Sequence, residues 1–218
     1  MSATTRNEPI RSLEARYYTD ASIFEKETKG VLASTWQFAC HASELAEPGS
    51  FTTFEIAGES LFAVRGRDDI IRVFYNVCQH RAHQLVSGSG KKQLVVCPYH
   101  AWSYELTGEL RAGPNVEAVE GFDKSSICLS GVRAEEFLGF VFVNLDPQAK
   151  PMDDWFPNAR QELSEWVPNW EQLRPLTRVE IPERCNCMIL TRDLIISMNI
   201  QVGFSGRCSA FRCTRAIF

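Results

Sequence analysis

Apolar and polar positions along this chain change period twice. Near the start the spacing predicts a helix over 19–34. Ile23, Phe24 and Val31 form its apolar stripe, Glu25, Lys26, Glu27 and Lys29 face water, and Asp20 can cap the first turn. Gly30 is a minor cost inside it. Trp36 and Phe38 then predict a short strand. From there the apolar residues come in short runs divided by turn residues. Strands are expected over 51–56 after Pro48-Gly49-Ser50, over 60–65 after Ala57-Gly58-Glu59, and over 70–77 after Gly66-Arg67-Asp68-Asp69. Runs over 93–97 and 102–106 continue the series, with Thr107-Gly108 as a hairpin turn. The strongest apolar strand is expected over 137–145, closed by Asp146-Pro147. Turn signals at such short, regular spacing predict antiparallel β structure.

After Pro151 the helical period returns. A helix is expected over 153–167, with Trp155, Phe156, Ala159, Leu163 and Trp166 on one side, and a new strand over 176–181. The expected organisation is an N-terminal arm and helix over 1–40, a β domain over 41–150, the start of a second, α+β domain over 151–184, and an atypical tail over 185–218.

A length of 218 residues suits one domain and part of a second. With 44% hydrophobic and 23% charged residues a packed core is expected and bulk disorder is not. The net charge of −4, with no run of five like charges, argues against a nucleic-acid partner. Residues 1–16 are broken by Arg6, Glu8, Arg11 and Glu14, so neither a secretory signal nor a membrane span is expected there and the cytoplasm is the expected compartment.

Without an export signal, the eight cysteines point to metal binding or free thiols rather than a disulfide framework. Cys40 and Cys128 stand alone and are expected to be small buried hydrophobes. Cys185, Cys187, Cys208 and Cys213 crowd the tail. The informative pair is Cys78-Gln79-His80 and, after sixteen residues, Cys97-Pro98-Tyr99-His100. Each half supplies one thiolate and one imidazole from a loop just after an expected strand. Such a donor set suits a [2Fe–2S] cluster in which two thiolates hold one iron and two neutral imidazoles the other. One Cys and one His per loop fits, because each iron then draws on both loops. The alternative is a structural Cys2His2 zinc site, although zinc fingers pair like with like and this order is C-x-H and C-x2-H.

CQHRAHQL from Cys78 and CPYHAWSYELTGEL from Cys97 resemble the two cluster-binding boxes of the Rieske non-haem iron oxygenases, the ring-hydroxylating type. The resemblance implies a mainly β fold: a Rieske-type antiparallel β domain with an N-terminal helical arm, followed by a partial α+β catalytic domain. It implies that Cys78 and Cys97 hold one iron, and His80 and His100 the other. Family boxes usually have Gly where this chain has Ala82 and Ala101. The respiratory-chain type has an extra Cys in each box; the matching positions are His83 and Tyr99, so that disulfide cannot form. The serine that donates to a cluster sulfur in that type is replaced by Trp102. Fewer donors to the sulfurs imply a lower potential. Beside the ligands, Arg81 is either a charge near the cluster or a surface residue. His83 is either a redox-linked acid/base or a loop histidine with a local hydrogen bond. Trp102 is expected to shield the cluster, and Tyr104 either bonds a ligand or is a plain strand residue.

The resemblance also implies a reductase or ferredoxin donor, a homotrimer and a small-molecule substrate. It implies hydroxylation or demethylation with O2 at a mononuclear Fe(II) held by two histidines and a carboxylate. The run WQFACHASELAEPGSFTTFEIAGESLFAVRG resembles the branch acting on quaternary ammonium compounds such as choline or glycine betaine more than the aromatic branch. The histidines are His41, His80, His83 and His100, and none follows His100. This chain is therefore expected not to bind the mononuclear iron and to be inactive as an oxygenase. The Arg- and Cys-rich tail suggests a frame interrupted near Cys187 or a genuine variant C-terminus, and 194–204 alternates like a strand. A stand-alone Rieske ferredoxin is the second functional reading; the helical arm and the segment after 151 argue against it.

Overall fold

The helical stripe after Asp20 forms α2 (Ala21–Glu27), with a short turn α1 (Arg16–Thr19) ahead of it and a wider π turn over Thr28–Leu32 behind. The Asp20 carboxylate accepts the Ser22 N–H at 2.8 Å and caps α2 as its position suggested. The computed structural model describes residues 13–176 apart from 115, 117 and 118. The tail over 185–218, and the strand expected over 176–181 beyond Leu176, lie outside the described residues.

Among the described residues ten strands follow: β1 (Gln37–His41), β2 (Ser50–Ile56), β3 (Glu59–Arg65), β4 (Ile71–Tyr75), β5 (Ser89–Lys91), β6 (Val95–Val96), β7 (Ser103–Tyr104), β8 (Leu110–Ala112), β9 (Gly131–Phe137) and β10 (Phe140–Asn144). Seven form one sheet in the order β1-β10-β9-β4-β3-β2-β5, and β6-β7-β8 form a second. Every pairing is antiparallel. After β4 the chain makes the first loop, adds β5 to the large sheet beside β2, builds the small sheet, and returns as β9 beside β4.

The run expected as one strand over 137–145 is instead a hairpin. Phe137 pairs with Phe140, and Leu138 and Gly139 turn the chain with φ of 52° and 78°. Ala57-Gly58 joins β2 to β3 in the same way, with φ of 52° and 84°. Leu138 reads as strand interior because it is apolar. It is apolar because it packs in the turn with Trp36, Phe137 and Met152. The helix expected over 153–167 is two, α3 (Met152–Trp155) and α4 (Ala159–Trp166). Pro157 has no N–H to continue α3, and Asn158 takes φ of 70°. Leu163 and Trp170 pack against the cluster holding Trp36 and Met152, while Trp166 stays 84% exposed, off the stripe it was expected to join.

The core lies on both faces of β3. Leu61 and Ala63 point to a cluster with Leu45, Ile56 and Val141; Phe62 and Val64 point to another with Phe74, Cys78 and Cys97. This is why the strand reads as a continuous apolar run rather than an alternation.

Candidate metal centre

The four expected ligands stand on two loops built to one plan. The residue before each cysteine pairs with the residue six after it: Val77 with Gln84, and Val96 with Ser103. Each cysteine N–H bonds the carbonyl five residues on, Cys78 to His83 at 2.8 Å and Cys97 to Trp102 at 2.7 Å. Each cysteine carbonyl accepts the N–H four residues on, from Ala82 at 2.9 Å and Ala101 at 3.0 Å. Those two alanines have φ of 54° and 56°, the left-handed region that glycine enters freely. This is the physical reason a glycine suits both positions.

Burial sorts the donors by type. Cys78 and Cys97 are each 2% exposed and face the same core cluster, whereas His80 is exposed and His100 half-buried. The two imidazoles meet edge to face, ring centroids 4.8 Å apart. Among the described residues no three His, Cys, Asp or Glu side chains converge to hold one ion. Two thiols facing the core and two imidazoles facing outward are a donor set that a [2Fe–2S] group, with two ligands per iron, can accept.

The surroundings complete the site. Tyr104 is fully buried; its hydroxyl lies 3.2 Å from Cys78 Sγ and accepts the Gln79 N–H at 3.1 Å. Burial pushes the phenol well above its ordinary value, with the Cys78 contact adding, so the group stays a protonated donor. Trp102 lies flat on His80, ring centroids 4.7 Å apart and planes 10° apart, and is 7% exposed. Burial and the neighbouring His80, Arg81 and His83 charges hold His100 below its ordinary value, favouring the neutral imidazole that ligates metals. His83 bonds the adjacent Gln84 carbonyl at 2.7 Å, the local arrangement that a loop histidine often makes.

Two single cysteines part company. Cys40 is buried as expected, but Cys128 is exposed. Leu129 takes the inward position, so its neighbour Cys128 faces out across an isolated bridge to Glu109. Sequence reasoning passed over Asn76, a fully buried side chain at the base of the first loop. Its signal was a polar residue inside the apolar run VFYNV.

Residues 35–123 match the Rieske [2Fe-2S] domain model. This segment is a Rieske domain. Over 168 residues the chain is 45% identical to the carnitine monooxygenase oxygenase subunit of Escherichia coli (strain K12), covering 77% of this chain and 45% of that protein. It is 35% identical over 184 residues to the glycine betaine monooxygenase oxygenase subunit of Chromohalobacter salexigens, covering 84% and 40%. A crystal structure of a quaternary ammonium Rieske monooxygenase with gamma-butyrobetaine superposes with a TM-score of 0.81 at 35% identity, covering 84% of this chain and 53% of that one. Naphthalene 1,2-dioxygenase with phenanthrene gives 0.70 at 30% identity, covering 76% and 38%. The chain is thus a homologue of Rieske oxygenase subunits and spans less than half the length of the curated relatives named here. Its largely antiparallel β architecture is that of the Rieske domain. No helix among the described residues is long and apolar enough to cross a membrane.

Proposed function

We propose that Cys78, His80, Cys97 and His100 hold a [2Fe–2S] cluster, and that this chain is the electron-accepting part of an oxygenase subunit. The reading rests on one observation: two equivalent loops bring buried thiols to one side and surface imidazoles to the other. When bound, the cluster supplies a one-electron store. The chain's own groups do the rest. The buried thiols keep water from the sulfurs, Tyr104 donates toward Cys78, Trp102 covers one face of His80, and the outward imidazoles offer the shortest route to a partner.

The intact protein's substrate is proposed to be a small quaternary ammonium compound, because the carnitine monooxygenase relative is 45% identical to this chain, against 38% for the 2-aminobenzenesulfonate 2,3-dioxygenase subunit alpha of Alcaligenes sp. A reductase donor, a homotrimer and a mononuclear Fe(II) domain are proposed for that intact protein. The 218 residues hold no histidine after His100, so this chain is proposed to carry the cluster but not the second iron. The relatives are oxygenase subunits, so the free-standing carrier is not taken up.

Anaerobic reconstitution with iron and sulfide tests the reading. The expected product is coloured and, once reduced, gives a rhombic EPR signal of low average g; Cys78→Ser loses it. A colourless, EPR-silent protein that binds zinc instead defeats the assignment. With a reductase and carnitine, the reconstituted chain is expected to consume no O2.

A further inference from the structure

We infer that Asn76 is the positioning residue that closes the first metal-binding loop by standing in for a missing rung of β-sheet, and so tunes the cluster that the loop holds. The inference rests on the cluster assignment proposed above. In the second loop the backbone ladder runs on below the closing pair: Val95, two residues before Cys97, pairs with Tyr104, seven after it. In the first loop only the single bridge of Val77 with Gln84 closes the base. The residue two before Cys78 is Asn76, and the residue seven after it is Leu85.

Here the Asn76 side chain makes the rung that the backbone does not. Its Oδ1 accepts the N–H of Leu85 at 3.1 Å and of Val86 at 3.0 Å. Its Nδ2 donates to the Val86 carbonyl at 2.8 Å and to Ser60 Oγ at 3.3 Å. Both donors and both lone pairs are used, in a side chain 1% exposed. Its backbone N–H is bonded to the Ser60 carbonyl at 2.9 Å, so the clamp is anchored on β3. The loop's return is thereby pinned to the sheet, with Cys78 and His80 held between its two ends. A one-residue slip of that return would carry His80 away from His100 and Trp102. Removing the amide leaves two buried N–H groups without their acceptor, which favours opening.

The test compares Asn76→Ala, Asn76→Asp and a control, Val141→Ala, which truncates a fully buried side chain in the other core cluster. Asn76→Asp keeps an acceptor for Leu85 and Val86 and loses the donors, so it guards against a misfolded alanine variant. After reconstitution, both Asn76 variants are expected to show altered EPR g-values and midpoint potential, and Asn76→Ala to release its cluster to a chelator about 10-fold faster or more. Val141→Ala is expected to lose stability yet keep wild-type g-values and potential. In the cluster-free protein, amide exchange is expected to quicken at Leu85 and Val86 in Asn76→Ala while Tyr104 stays protected. Wild-type g-values, potential and release rate in both Asn76 variants would overturn the inference, as would unchanged exchange at Leu85 and Val86. If wild-type protein itself takes up no cluster, the cluster assignment is what fails, and the exchange measurement still decides whether the clamp exists.

Discussion

Ala82 and Ala101 occupy the same place in two different loops, each four residues after a cysteine, with φ of 54° and 56°. A Cβ crowds the following carbonyl in this conformation, at a cost of about 1–2 kcal/mol, while glycine's extra freedom in the unfolded chain takes part of that back. Ala82→Gly and Ala101→Gly are each expected to stabilise the protein by about 0.5–1 kcal/mol, and Ala82→Val to destabilise it. Urea denaturation of the cluster-free protein measures this. A loss of stability in both glycine variants would mean that the alanines are not strained.

Tyr104→Phe removes the hydroxyl beside Cys78 Sγ and leaves the Gln79 N–H without its acceptor. The expected cost is about 1 kcal/mol in denaturation. One donor fewer toward the ligand sulfur also leaves the added electron less stabilised, so the midpoint potential is expected to fall. An unchanged potential in a redox titration would show that the hydroxyl has only a structural part.

Gly113 lies against the indole that covers His80. A Cβ there would stand 2.6 Å from Trp102 Cδ1 and 2.7 Å from Nε1. Gly113→Ala is expected to push Trp102 off His80, cost about 1–3 kcal/mol and change the near-ultraviolet circular dichroism. A variant with wild-type stability and spectrum would show that the indole has room to move.

His41 gives the fold a pH dependence of its own. It is 4% exposed, and its Nδ1 accepts the Ser43 N–H at 3.2 Å as an N-cap. Burial first, and then Arg174, hold it below its ordinary value of 6.5, against the opposing Glu44 and Glu136. The unfolded chain therefore takes up the proton first as pH falls. The stability tied to neutral His41 is complete above about pH 6.5 and declines below it. Wild type is expected to lose more stability than His41→Asn between about pH 7.5 and about pH 5.5, by denaturant titration. Equal losses would place the imidazole's titration elsewhere.

The chain by itself determined much of the scaffold and marked the candidate donors. Two Cys/His pairs in an unusual order point to a metal group, and short apolar runs between turn residues select antiparallel strands, because both signals are local. The cap at Asp20 was legible for the same reason. What only the tertiary structure decided was non-local. Leu138-Gly139 turns because Leu138 has a pocket against Trp36 and Met152, something an apolar run cannot reveal. Cys128 faces out because Leu129 claims the core. The kinship of the two loops rests on hydrogen bonds that close each one on itself, and on an asparagine side chain taking the place of backbone pairing. Residue types announce donors and acceptors, but which of them meet is settled only when the chain has folded.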